Sequence, residues 1–152
     1  MARLGFGVVK KIKQKVKLIN YGCIKTSPDF STGERLKIIN NELNKIIKKY
    51  RPEVLAVESI YFFKNLKTAM PVSQAKGVIL LTAAKKKIPV YEFTPLQMKM
   101  AITGYGKAEK KQVQKMIRVL LDMKEAPKMI DDAADALGIA LCYAIKSKIK
   151  LS

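Results

Sequence analysis

Histidine does not occur once in the 152 residues. Its absence removes Ser-His-Asp and Cys-His catalysis and every His-bearing zinc site. Cysteine is almost as scarce. Cys23 and Cys142 lie far apart without CxxC spacing, in apolar stretches, and read as reduced packing residues of a cytoplasmic protein. A metal, if one is used, is therefore a hard cation held by carboxylates. Acids are few as well, 12 against 30 Lys and Arg, which leaves a formal net charge of +18. That imbalance points to a polyanionic partner, nucleic acid first and an anionic membrane surface second. A general lysine bias would spread charge over every face, but it would not gather the few acids. No apolar run reaches the roughly 18 to 20 residues of a membrane span, and Met1-Ala2-Arg3-Leu4-Gly5 has no signal-peptide core. No membrane role is expected. Gly and Pro are modest and hydrophobic residues make up 49% of the chain, so a packed core in one domain over 1–152 is expected.

The acids gather most densely in Asp131-Asp132-Ala133-Ala134-Asp135. On a helix, positions three and four apart share a face, so Asp132 and Asp135 project together, with Asp131 within reach of Asp135. Carboxylates held together repel unless a proton or cation lies between them. The group is therefore either a Mg²⁺ or Mn²⁺ seat or a capped, dipole-favoured helix start.

Along the chain, Leu4 to Lys10 and Val16 to Thr26 read as two strands joined by the basic Lys10–Lys15 turn. A loop of turn residues at 27–33 precedes a helix from Glu34 to Tyr50, with Leu36, Ile39, Leu43, Ile46 and Ile47 as its apolar stripe. Arg51-Pro52 ends it. Val54 to Glu58 suits a strand buried on both faces. Glu58 at its C-terminal end stands where open α/β sheets place their sites, or else is a solvated loop acid. Three aromatics and a cation follow, Tyr61-Phe62-Phe63-Lys64. A helical pattern runs from Leu66 to about Lys87, its regular part starting near Pro71. Pro89 to Phe93 is a strand, and Pro95 opens a short helix to Thr103 that carries Lys99. After the Gly104-Tyr105-Gly106 turn, Lys107 starts a basic helix to about Met123, with Lys110 and Lys111 in its first turns. It is either a phosphate seat or a solvated face. The acidic helix then continues to the Lys146 region. The order predicts a mixed α/β sheet flanked by helices.

Six segments together, in this order and spacing, resemble the RuvC family of Holliday-junction resolvases: LGFGVV at 4–9, LAVESIYFFKN at 55–65, SQAKGV at 73–78, PVYEF at 89–93, QMKMAITGYGKAEKKQVQKM at 97–116 and DDAADALGIA at 131–140. The resemblance implies an RNase H-like fold and a homodimer acting on four-way junction DNA, with RuvA and RuvB as branch-migration partners. It places Glu58, Asp132 and Asp135 on three of the family's four metal-binding carboxylates. Lys99 and Lys110 fall on lysines that face DNA phosphates, and Tyr61 on an aromatic near the junction. Lys64, Lys107 and Lys111 are expected to add to the DNA surface, Phe62 and Phe63 to be core or interface, and Asp131 to be a cap. Two Mg²⁺ ions per site would activate water and stabilise the leaving oxygen of the phosphodiester. Nearby lysines would offset phosphate charge.

One part of the family pattern has no counterpart. Its first strand ends in a Gly-Ile-Asp-Pro-Gly-like turn with the first catalytic aspartate, upstream of the LGFGVV match. The expectation is that about 10 to 15 further residues, a strand and a turn, precede Met1 in the biological protein. The alternative is a chain that starts here and is inactive or poorly folded. Without that strand, Val54–Glu58 should lack a ladder partner. Three functions are thus compared: a junction endonuclease, a catalytically silent branched-DNA-binding module, and an RNase H-like nuclease with another substrate.

Overall fold

The computed structural model describes residues 3–59, 66–123 and 128–147. Its elements, in chain order, are β1 (Arg3–Ile12), β2 (Lys15–Lys25), α1 (Thr32–Tyr50), β3 (Leu55–Glu58), α2 (Leu66–Lys85), β4 (Val90–Phe93), α3 (Pro95–Thr103), α4 (Lys110–Leu120) and α5 (Asp131–Lys146). The α/β character and order match the sequence reading. The strands form two hydrogen-bonded pairs, antiparallel β1–β2 and parallel β3–β4. β3 has β4 as its one ladder partner among the described residues.

The hairpin alternates its faces, and an irregularity between Val8 and Val9 shifts the register. Before it, Leu4 and Phe6 pack with Ile24 against α1 and α2, while Gly5 and Gly7 face α5. Beyond it, Val9, Val16 and Leu18 join the main core. That core is centred on Leu137 and Leu141 of α5 and Ile117 of α4, none more than 1% exposed. Each such side chain contributes about 1.5–3 kcal/mol by leaving water. Consequently α5 lies across both strand pairs, chiefly over β1 and β3. Two features seat it. A Cβ on Gly5 would run into the Asp132 carbonyl, so only glycine lets the strand backbone approach there. At the other end, Lys11 Nζ donates to the Ala144 and Ser147 carbonyls at 2.6 and 2.9 Å, satisfying groups that the helix leaves open.

α1 starts at Ser31, whose hydroxyl accepts from the Glu34 amide at 3.2 Å, and ends at Arg51 in the left-handed region before Pro52. Its polar face reaches α2 through Asn40, which donates to Thr82 Oγ1 at 2.7 Å. Three local expectations need correction. The regular part of α2 begins at Leu66, with Pro71 inside it at the cost of one backbone hydrogen bond. α4 begins at Lys110 rather than Lys107, because buried Ala108 anchors a turn and the Glu109 amide donates to Gln112 Oε1 at 2.9 Å. Asp131 is not the cap of α5: the cap position is Ile130, whose side chain accepts nothing. Among the described residues, no helix is long and apolar enough to cross a membrane.

Candidate active site

Glu58 stands at the C-terminal end of β3, opposite Phe93 of β4, and the Ser59 amide donates to the Phe93 carbonyl at 2.8 Å. The strand therefore ends in a fixed position beside β4. The residue is exposed on one side. Its carboxyl is nevertheless hemmed in, and desolvation first, the Asp135 charge second, raise its pKa above the ordinary glutamate value. Asp135, half-buried one turn into α5, is raised in the same way by desolvation and by Asp131 and Asp132, while Lys110 opposes the shift. The sheet end and the acidic helix thus bring two carboxylates from distant sequence positions into electrostatic contact. Neither side chain has a cation at ion-pair distance among the described residues.

The other two acids of the helix are engaged. Asp131 Oδ2 lies 2.9 Å from Lys110 Nζ, and its Oδ1 accepts from Gln114 Nε2 at 3.0 Å. Those hydrogen bonds and charges hold the Asp131 carboxyl below its usual pKa and raise that of Lys110. Asp132 Oδ2 is 3.7 Å from Arg3 Nε. Both pairs are exposed, so each is a positioning contact of little energetic weight. Among the described residues, no three Asp, Glu, His or Cys side chains gather closely enough to hold a metal ion. Glu58 and Asp135 are brought together; Asp132 turns toward the start of β1.

Lys110 interacts electrostatically with all three acids of α5, Asp135 included. Lys99 is partly buried on α3, and Lys107 and Lys111 are exposed around the start of α4. Tyr61, Lys64, Phe62 and Phe63 lie outside the described residues. Three participants escaped the sequence reading: Arg3 beside Asp132, Gln114 on Asp131, and Asp131 itself as the seat of Lys110. Asp131 was visible in the Asp-Asp pair, but no local pattern links it to a lysine 21 positions earlier.

Paired acidic groups at a strand end, a lysine beside them and a charge of +18 on an RNase H-like α/β framework define a polynucleotide-hydrolysing class of protein. The family description "Crossover junction endodeoxyribonuclease RuvC" matches residues 1–143. A relative of that name from Alkaliphilus metalliredigens is 51% identical over 144 residues, covering 95% of this chain and 87% of its own length. Its namesake from Fusobacterium nucleatum is 48% identical over 151 residues, 99% of this chain and 79% of that protein. Among solved structures, Thermus thermophilus RuvC in complex with Holliday junction substrate superposes with a TM-score of 0.87 at 38% identity, over 95% of this chain and 87% of that one. The chain belongs to the RuvC family, whose members are metal-dependent hydrolases of DNA phosphodiester bonds.

Proposed function

We propose that this chain is a structure-selective endonuclease that resolves four-way DNA junctions by metal-dependent hydrolysis at the site formed by Glu58, Asp132 and Asp135, in one nuclease domain. The observation that carries the reading is the Glu58–Asp135 pair, two half-desolvated carboxylates: burial and the Asp135 charge raise Glu58, and burial with Asp131 and Asp132 raises Asp135. Such a pair suits a hard divalent ion, Mg²⁺ or Mn²⁺, which relieves the repulsion without protonation. Glu58 and Asp135 would hold it, and Asp132 would join by leaving Arg3. When bound, two such ions supply charge that favours attack by water and departure of the leaving oxygen.

The protein's own residues do the rest. Lys110, held over α5 by Asp131, keeps a positive charge where the scissile phosphate must approach acids that would otherwise repel it. Lys99 on α3, Lys107 in the turn and Lys111 on α4 extend that charge, and Tyr61 and Lys64 are the further residues taken to contact DNA. A homodimer presents two sites to a two-fold junction. Exposed apolar Met70, Leu80 and Leu81 on α2 support a self-association face there. RuvA and RuvB remain the partners that family membership implies. The silent-module reading is not favoured, because the carboxylate pair carries a destabilising repulsion that mere binding does not require.

The test is cleavage of a synthetic four-way junction with Mg²⁺ by this chain and by Asp135→Asn. Wild type should nick opposed strands, and the variant should bind with near-unchanged affinity and lose at least about a hundredfold in rate. Near wild-type cutting by the variant would overturn the site.

A further inference from the structure

The turn between α3 and α4 presents an exposed ring that none of the assigned roles uses. Tyr105 is 58% exposed, and Leu96 and Met100 of α3 beside it are 59% and 48% exposed. The turn folds back onto that helix face: a Cβ on Gly106 would lie 2.8 Å from Leu96 Cδ1 and 3.4 Å from Met100 Sδ. Its backbone is firmly fixed. Thr103 Oγ1 accepts from the Tyr105 amide at 3.1 Å, and its single proton is shared between the Lys99 carbonyl at 2.7 Å and the Tyr105 carbonyl at 3.0 Å. The Ala108 amide donates to the same carbonyl at 3.1 Å, and Ala108 is buried. Gly104, in the left-handed region at φ 74°, ends α3 and starts the turn. A rigid turn thus holds an aromatic ring out in solvent, where burial gives no reason for it.

Its surroundings are basic. Leu96, Lys99, Met100 and Thr103 share one face of α3, three and four positions apart. Lys107 is exposed in the turn itself, and Lys110 lies five residues on, at most about 17 Å by chain length. Along the chain, Tyr105 therefore stands between lysines proposed to hold phosphates. Lysines with an interposed aromatic form the combination that grips an unpaired strand, charge on the backbone and a ring on the base face. A fully stacked duplex offers no base face, whereas a branch point does.

We infer that Tyr105 is a further DNA-contacting residue, stacking on an unpaired nucleotide at the branch point while Lys99, Lys107 and Lys110 hold the flanking phosphates. This rests on the junction-binding reading above and adds to it a specific contact outside the carboxylate site. Leu96 and Met100 support the turn at Gly106.

The experiment places 2-aminopurine at each branch-point position of a four-way junction and compares wild type, Tyr105→Phe and Tyr105→Ala, with melting temperature and oligomeric state recorded for each. At one or more positions the fluorescence change on binding should be retained by the Phe variant and lost by the Ala variant. The Ala variant should also bind the junction roughly tenfold more weakly, with little change for plain duplex. Identical fluorescence at every position for wild type and Tyr105→Ala would overturn the inference while leaving the nuclease reading intact. So would an altered oligomeric state with unchanged nucleotide signal, which would make the ridge a protein contact. Failure of wild type to bind junctions at all would instead overturn the reading on which the inference rests.

Discussion

Glu58 and Asp135 are held where burial and neighbouring carboxylates raise the cost of their charge, and that cost has a measurable sign. Their folded pKa values are raised, so between the ordinary carboxylate range and the raised values the folded state binds more protons than the unfolded one. Stability from this pair is therefore greatest below the unfolded pKa and falls as pH rises through the folded one. Metal-free Asp135→Asn should consequently melt slightly above wild type at neutral pH, the gain being reduced by solvent screening of this half-exposed group. The gap should close as pH is lowered into the carboxylate range. Mg²⁺ should raise the wild-type melting temperature and leave the variant nearly unmoved. A variant that melts lower than wild type in calorimetry at neutral pH would remove the repulsion argument. At this scale the sequence showed the residue types and the spacing within α5. It could not show that Asp132 faces Arg3 or that Asp131 holds Lys110, since those partners meet only through tertiary packing.

α5 is the element on which the site depends, and its seating depends on one missing side chain. Gly5→Ala forces a Cβ into the Asp132 carbonyl, so β1 and the first turn of α5 must separate. Overpacking of this kind costs about 1–3 kcal/mol, and here it also moves Asp132 and Asp135. The expected outcome is a lower melting temperature together with lost cleavage. A fully active, equally stable variant would mean that the contact is not needed. That Gly5 meets the Asp132 carbonyl was not legible in the sequence, because the two come together only through tertiary packing. Helices with strong periodicity, such as α1, were read nearly to the residue, because a stripe from Leu36 to Ile47 leaves one choice of face. The starts of α2 and α4 were not, because Pro71 and Lys107 send local signals that packing overrides.

At the scale of the whole molecule, the formal charge of +18 makes DNA association steeply salt-dependent. Junction affinity should fall log-linearly with salt, with a slope near −0.9 per phosphate neutralised, and Lys110→Ala should flatten it by roughly one unit. An unchanged slope would take Lys110 off the phosphate path. Leu81, 55% exposed on α2, should tolerate Leu81→Asp as a folded monomer while self-association weakens in sedimentation. Unaltered self-association would move the dimer face elsewhere. Fold class was legible because strand and helix signals alternate in a family-wide order. The split of the strands into an antiparallel and a parallel pair follows from which edges find partners among the described residues. The most direct measurement incubates the chain and Mg²⁺ with a supercoiled plasmid carrying an extruded cruciform. Paired cuts across the junction predict linear product cut at the cruciform, none from the same plasmid relaxed, and none with Asp135→Asn. Nicked circles cut at similar rates with or without the cruciform, or no cutting despite tight binding, would contradict the account.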